Sequence, residues 1–547
     1  MARSVSTVVA WITAAACWVA CLLPAAAAQA APLPSFAELE AAGTTIGEIR
    51  IVANDIFDTD DPREDHLLFR LANRLHARTK PAVVRRELLF SSGERVSVRL
   101  IEETERLLRS HRYFYDVQIH PVAVHDDVVD IEVTTRDTWS LDLGISFSRQ
   151  GGSNAGGLRL REYNLFGTGI SLGLGRSSDV DRTGNEVFVA APHLFGGRTS
   201  LTASHASNSD GQRNSVALLR PFYELDARWA AGLSASKDDR LDSSYVGGAA
   251  VGQWRHRQTR AEAFAGISAG LVEGRVQRWS AGIKLLDDAY ALEPGRVPPT
   301  SLPADERLVA PFVRYELVED RYERELNRNL IGRPEFFALG LATSVQLGVA
   351  SRGLGSSESA LLYAATASRG FEIDEQQMLM ARAKVSGRIV DGQVQRGQWD
   401  LQAQYYLPQS PRWLFHTALS ASSLTRPAAQ DVLLLGGDNG LRGYPLRYQS
   451  GKRRVLGTVE ERYYTDLYLW RLFRVGGAAY VDAGRAWGGD LVNAANPGWL
   501  ANAGIGLRIV NSRSAFSDVL HIDLAYALRP GTDMQRLQFL VKTRTSF

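Results

Sequence analysis

The chain has 547 residues, 45% of them hydrophobic and 22% charged, with 62 Lys+Arg against 60 Asp+Glu and a formal net charge of +2. That apolar content excludes a disordered or collagen-like chain, and so balanced a charge gives no support to a nucleic-acid partner. The length suits two to four ordinary domains, or one large closed structure with a small companion. Past residue 30 no stretch is long and apolar enough for a membrane helix, so a helical membrane protein is excluded.

Residues 1–30 read as a secretory signal peptide. Arg3 precedes the apolar run Val8 to Leu23, and an alanine-rich stretch ends in Ala28-Gln29-Ala30, an A-x-A cleavage pattern. Both cysteines, Cys17 and Cys21, lie inside it. A mature chain without a disulfide framework is consistent with an exported protein stabilised by other means, such as an outer-membrane barrel of a Gram-negative cell. Residues 31–45 read as a short linker.

Residues 46–137 read as a small α+β domain in the order β-α-α-β-β. Ile46 to Ala53 alternates like a strand. Glu64 to Ala77 places Leu67, Leu68, Leu71 and Leu75 on one helical face, which predicts a core-facing stripe. Ser97 opens a second helix with Leu100, Ile101, Thr104, Leu107 and Leu108 in line, leaving Glu102, Glu103 and Glu105 largely solvated. Tyr113 to Val124 and Val128 to Thr135 predict a strand pair turning at Asp126-Asp127.

From residue 138 to residue 547 no helical period persists. Short alternating segments separated by Gly, Asn, Asp and Ser continue to the end. Leu520, Ile522, Leu524, Tyr526 and Leu528 share one face, with His521, Asp523, Ala525 and Ala527 on the other. Leu537, Phe539, Val541 and Phe547 likewise oppose Gln538, Lys542, Arg544 and Ser546. Apolar-out, polar-in strands over four hundred residues predict a lipid-facing barrel, because only a closed ladder satisfies every backbone group in a bilayer. Trp229, Trp254, Trp279, Tyr405, Tyr406 and Trp413 would supply its interfacial aromatic girdles.

Several motifs carry a specific resemblance. Glu87-Leu88-Leu89-Phe90 before Ser91-Ser92-Gly93-Glu94, then Leu107-Leu108-Arg109 and Tyr113-Phe114-Tyr115-Asp116-Val117, resemble a POTRA (polypeptide-transport-associated) domain, with Asp137-Thr138-Trp139 leading into the barrel. The barrel resembles the BamA/TamA family of outer-membrane insertases and translocators. Asn164-Leu165-Phe166-Gly167-Thr168-Gly169, with Asn164, Gly167 and Gly169 as its turn residues, resembles that family's first periplasmic turn. Leu435-Gly436-Gly437 with Leu441-Arg442-Gly443-Tyr444 resembles its long extracellular loop that folds back into the lumen. Tyr480-Val481-Asp482-Ala483-Gly484 resembles the strand that receives the loop.

The resemblance implies an outer-membrane barrel of sixteen strands with a single POTRA domain in the periplasm. Segment counting gives eighteen to twenty: five strands after the Arg442 loop, but about fifteen before it where eleven are expected, with the surplus between Tyr245 and Val390. Either some of these segments are loop hairpins above the membrane or the barrel is larger. The resemblance also implies that the Arg442 guanidinium enters the lumen and pairs with Asp482. Glu460 is a second candidate partner if Val459 faces lipid. It further implies a weak seam between about Ser140–Ser148 and Arg536–Phe547, with Gly144 and Ser146 loosening the first strand and the terminal Phe547 serving as an assembly signal. Sheet edges of the POTRA domain would receive unfolded β-rich client proteins by β-augmentation. The expected partners are therefore the outer-membrane lipid bilayer, such clients and other envelope assembly components.

Other motifs are decoys. Gly266-Ile267-Ser268-Ala269-Gly270 matches G-x-S-x-G but sits in an alternating strand with no helix after it. Asp55, Asp58, Asp60, Asp61, Glu64 and Asp65 lack the glycine and terminal glutamate of a calcium loop, and read as a solvated loop with a helix N-cap near Asp61-Pro62. No zinc spacing, Walker loop or dinucleotide fingerprint is present, so no enzyme activity, cofactor or metal is expected. Two classes of function remain, a protein insertase or translocase and a channel or structural barrel without protein clients.

Overall fold

The computed structural model describes residues 33–544, apart from 151–152, 195, 247, 375, 429, 489–497, 515–518 and 532–533. Residues 1–30, read as a signal peptide, and Phe547 lie outside the described residues, as do the side chains of Gly144 and Ser146. The chain divides into two compact units. The smaller comprises residues 33–50, Ser92–Val98 and His120–Glu132; the larger comprises Ile51–Ser91, Arg99–Ile119 and the chain from Val133 onward.

The N-terminal part begins with α1 (Phe36–Ala41), inside the segment read as a linker. Ser35 and Glu38 form a reciprocal capping box that satisfies two of its orphan N–H groups. β1 (Thr45–Asn54), α2 (Leu67–Leu75), α3 (Pro81–Glu87), α4 (Val98–Ser110), β2 (Phe114–His125) and β3 (Val128–Asp137) follow. The strands form one sheet in the order β1-β3-β2, and Asp126 takes φ +52° at the hairpin turn. The order between β1 and β2 is thus three helices where two were expected. The missed one, α3, starts at Pro81, a residue pre-organised for the first helical position.

Two helix expectations need correction. α2 begins at Leu67 behind His66, not near Asp61-Pro62, because Asp61 is engaged by Arg63 instead. Its leucine stripe also faces outward: Leu67, Leu68, Leu71 and Leu75 are 74%, 73%, 47% and 68% exposed, while Phe69 is buried against Ile56 and Phe57. Periodicity locates an apolar stripe without saying whether a protein core or another apolar medium covers it. On α4, Glu103 is buried rather than solvated, accepting from the Leu225 N–H at 2.8 Å.

The barrel wall opens with β4 (Leu141–Gln150), β5 (Ser153–Glu162), β6 (Ser171–Ser178), β7 (Thr183–Leu194), β8 (Thr199–Asn208) and β9 (Gly211–Arg220). Longer strands follow: β10 (Trp229–Val246), β11 (Ala249–Val272), β12 (Arg275–Leu292) and β13 (Glu306–Glu319). A short hairpin, β14 (Tyr322–Leu326) with β15 (Pro334–Ala338), interrupts the wall. It resumes with β16 (Ala342–Ala350), β17 (Ala360–Glu372), β18 (Met378–Val390), β19 (Gln393–Pro408) and β20 (Trp413–Thr425). Within the next loop, β21 (Leu433–Leu435) pairs with β22 (Gln449–Gly451). The wall ends with β23 (Arg453–Leu469), β24 (Phe473–Trp487), β25 (Leu500–Asn511), β26 (Val519–Ala527) and β27 (Leu537–Arg544).

These strands close into an antiparallel barrel of twenty, fifteen before Arg442 and five after it. The count of sixteen is therefore corrected. The larger-barrel alternative holds, and the extra hairpin β14–β15 joins β13 to β16 at the end of the barrel where β4 begins, here called proximal, with the other end distal. Alternation sets the two faces of the wall. Leu233, Ile283, Val313, Leu347, Leu419, Val459, Val481, Ile505, Leu524 and Phe539 point outward and are exposed, an apolar band suited to hydrocarbon. Trp229, Trp279 and Trp413 are exposed on it near proximal strand ends. Trp254 and Tyr406 are not girdle residues: both are buried and face inward, since neighbours such as Tyr405 and Tyr406 must point to opposite faces. The G-x-S-x-G pentapeptide lies within β11, with Gly266 paired to Ser280.

Candidate functional site

The connection from β20 to β23, residues 426–452, turns back into the barrel. Leu435, Leu441 and Tyr444 pack there with Ala486, Leu500 and Ala527 of the inner wall. The Tyr444 hydroxyl donates to the carbonyls of Ala501 and Arg529 at 3.0 and 3.1 Å. Gly436 stands where the loop doubles on itself, since a Cβ there would meet the Pro445 carbonyl at 2.4 Å. Gly443 lies against the wall, where a Cβ would come within 2.6 Å of the Asn502 side chain. The sequence Leu441-Arg442-Gly443-Tyr444 thus combines two buried anchors and a residue thin enough for contact.

Between the anchors, Arg442 reaches β24 and β23. Its Nε and Nη2 donate to the two oxygens of Asp482 at 2.8 and 2.7 Å, and its Nη1 donates to Glu460 at 2.9 Å. The guanidinium lies over the Tyr480 ring, 3.2 Å from its centroid. Such a planar fork fixes position and orientation together, which an ammonium does not. Asp482 is fully buried and also accepts from Thr458 Oγ1 at 2.9 Å and Asn502 Nδ2 at 2.8 Å. The ladders explain this set, because Thr458 pairs with Asp482 and Asp482 pairs with Asn502, so the three side chains form one inward row across β23, β24 and β25. Glu460 accepts from Arg462 Nε at 2.9 Å and lies 3.6 Å from Arg508, which also donates to Asp523 at 2.8 Å. The alternation that puts Glu460 inside leaves Val459 exposed and places Glu461 within reach of Gln409 at the proximal rim.

At the proximal end the connection between β13 and β16 forms a second insertion that the sequence did not reveal. Ile331, Leu330, Phe337 and Leu339 pack on Met378, Tyr406, Leu414, Tyr464, Val510 and Val519, inward residues of strands β18 to β26. Glu335 accepts from the backbone N–H groups of Arg328, Asn329 and Leu330 at 2.9–3.1 Å, which shapes the hairpin tip. Arg462 donates to the Arg328 carbonyl at 2.7 Å, so one side chain links the tip to the Glu460 network. The signal available in the sequence was modest: Arg462 sits two positions from Glu460, on the same inward face.

The turn between β5 and β6 docks on the α/β part of the larger unit. The Asn164 side chain donates to Thr79 Oγ1 and accepts from the Gly169 N–H, both at 2.7 Å. Thr79 in turn donates to the buried Asp137, whose carboxylate also lies 2.9 Å from His76 Nε2. The Gly167 carbonyl accepts from the Lys80 N–H at 2.9 Å. Its φ of +70°, and the 2.1 Å approach that a Cβ would make to the Arg78 carbonyl, require glycine there.

β27 meets β4 where the barrel closes. Among the described residues the β27–β4 ladder holds one pair, Val541↔Arg149, against eight between β26 and β27 and ten between β4 and β5.

No family model matches the chain, and no curated protein matches it. Among solved structures it is similar to BamA from Haemophilus ducreyi lacking POTRA domains 1–3, at 13% identity over 92% of this chain and 85% of that one, with a TM-score of 0.41. It is also similar to CdiB from Escherichia coli, at 12% identity over 92% of this chain and 76% of that one, with a TM-score of 0.48. CdiB from Acinetobacter baumannii aligns at 12% identity over 91% and 74%, with a TM-score of 0.42.

Proposed function

We propose that the chain is an outer-membrane barrel of the BamA/TamA type that inserts β-rich proteins into the membrane or exports them across it, with residues 46–137 as a periplasmic POTRA domain. The observation that carries this reading is the Arg442 fork on Asp482 and Glu460. It fixes a long loop inside a barrel that an open diffusion pore would leave clear.

Clients would be received on β2. In the sheet order β1-β3-β2 it is an edge strand, whereas the start of β1 is already occupied on its outer side by residues 93–95. Main-chain bonds along such an edge supply affinity with little sequence selectivity.

The test compares the outer-membrane and secreted proteomes of cells depleted of the protein with those of cells carrying Arg442→Ala at matched barrel levels. Loss of the same few surface or secreted proteins in both is the expected result. An unchanged proteome with altered uptake of small solutes would replace this reading with a channel.

A further inference from the structure

Among the described residues nothing covers the outward leucine stripe of α2, and its surroundings say what does. Residues 56–80 follow the proximal rim from one side of the seam to the other. Ile56, Phe57 and Phe69 pack with Leu472 of the β23–β24 turn and with Trp139 at the foot of β4. Arg513, in the β25–β26 turn, donates to the Ile56 carbonyl and pairs with Glu64. Just past the helix, His76 and Thr79 engage Asp137, and Lys80 reaches the β5–β6 turn. In wall order these anchors run β23-β24-β25-β26-β27-β4-β5-β6, so α2 lies along the foot of the β27–β4 seam.

With Phe69 turned to the protein, Leu67, Leu68, Leu71 and Leu75 cover an arc of about 100° on the other side of the helix. Exposed apolar groups also lie in neighbouring turns of the rim. Trp470 in the β23–β24 turn is 75% exposed, Leu467 beside it 55%, and Phe166 in the β5–β6 turn 74%. Arg70, which pairs with Asp65, and Arg74 border one side of the stripe and are exposed. An apolar stripe bordered on one side by arginines, with aromatic residues in neighbouring turns at the edge of a lipid-facing band, is the pattern of a helix lying in a membrane interface.

We propose that α2 lies in the proximal leaflet, with its leucines at the acyl boundary and Arg70 and Arg74 toward anionic phosphate headgroups, beside the strands that close the barrel wall. The inference rests on the reading of the barrel as membrane-embedded, and its test separates the two. The two cysteines at 17 and 21 are replaced by serine, and single spin labels are placed in the full chain by Leu68→Cys, Leu71→Cys, Leu419→Cys in the apolar band and Glu102→Cys on the exposed side of α4. The proteins are reconstituted in phosphatidylethanolamine–phosphatidylglycerol vesicles, and collision with oxygen is compared with collision with a water-soluble nickel chelate.

The expected result is an oxygen-to-nickel ratio at 68 and 71 close to that at 419 and roughly tenfold above that at 102. Adding Arg70→Gln and Arg74→Gln should lower the ratio at 71 in these anionic vesicles and leave it unchanged in purely zwitterionic ones. A nickel-favoured signal at 68 and 71 with an oxygen-favoured one at 419 overturns the inference while leaving the barrel in the membrane. Nickel access at 419 as well overturns the membrane reading itself. Labels at 68 and 71 shielded from both reagents mean that a second copy of the chain, the only protein present, covers the stripe, which also overturns the inference.

Discussion

Two stretches of one wall carry opposite designs. Around Asp482, strands β23, β24 and β25 pair over long ladders, and their inward side chains are tied by a loop arginine to a row of hydrogen-bonded partners. Four strands further round, β27 meets β4 through a single described pair. Both are built from the same alternating β sequence, so strand propensity does not separate them. At the loop site the lumenal face carries buried charge, which must be paired to be tolerated and, once paired, fixes whatever carries its partner.

The largest effect in this comparison should come from Arg442→Ala. It leaves Asp482 and Glu460 buried without their loop cation, at a cost of about 3–5 kcal/mol, read as a lower urea midpoint of the reconstituted barrel and as new protease cleavage within residues 426–452. Arg442→Lys should recover part of the stability and little of the loop protection, because the fork is lost. Glu335→Gln comes next. Weakening the acceptor of three backbone N–H groups at the hairpin tip should cost about 1–3 kcal/mol and raise single-channel conductance; an unchanged conductance would mean that the hairpin does not restrict the lumen.

A smaller, pH-dependent effect is expected at Glu87 in α3. Burial raises its pKa, but hydrogen bonds with His111 and His193, at 2.8 and 2.6 Å, outweigh that and hold the carboxyl well below the usual carboxylate range. A carboxylate depressed in the folded state contributes stability above its unfolded value of 4.5 and loses it as pH falls from there toward the folded value. Protection of the α3 amides, corrected for intrinsic exchange, should therefore decline below that pH. Glu87→Gln should flatten the decline at a cost of about 1–2 kcal/mol.

The last change bears most directly on the seam. Val541 and Arg149 are opposed in an antiparallel ladder, a separation that suits a disulfide. On the proposed reading, Val541→Cys with Arg149→Cys should abolish delivery of clients under oxidation, with reduction restoring it, while the cross-link raises the thermal midpoint by closing a long loop. Full activity in the oxidised form would show that the seam does not open.

Much of the wall was legible because its signal is local. Side chains in a strand alternate, so Leu524 and Tyr526 outside, with His521 and Asp523 inside, follow from the order of residues alone. The same rule put Asp482 on the inner face, and Glu460 there on the condition that Val459 faces lipid, and segment counting gave about fifteen strands before the loop and five after it. The tip at Arg328 to Leu330 was invisible for the converse reason. Its partners, Tyr406, Tyr464 and Arg462, are more than seventy residues away, and the hairpin's own alternation resembles that of wall strands. Thr458 and Asn502 became partners of Asp482 only through strand register, which a list of segments does not contain.

By itself, then, the sequence determined that a long alternating tract forms strands, which neighbouring residues share a face and that the polar faces must meet inside a closed structure. All of this follows from the two-residue period and from the need to satisfy every backbone group away from water. Tertiary structure decided what each face meets: that the leucines of α2 look outward while Phe69 looks in, that a proximal hairpin enters the lumen, and that Arg442 finds Asp482 and Glu460 together. Apolar and charged side chains specify only the kind of partner they require, and the closure of the whole chain chooses which one is within reach.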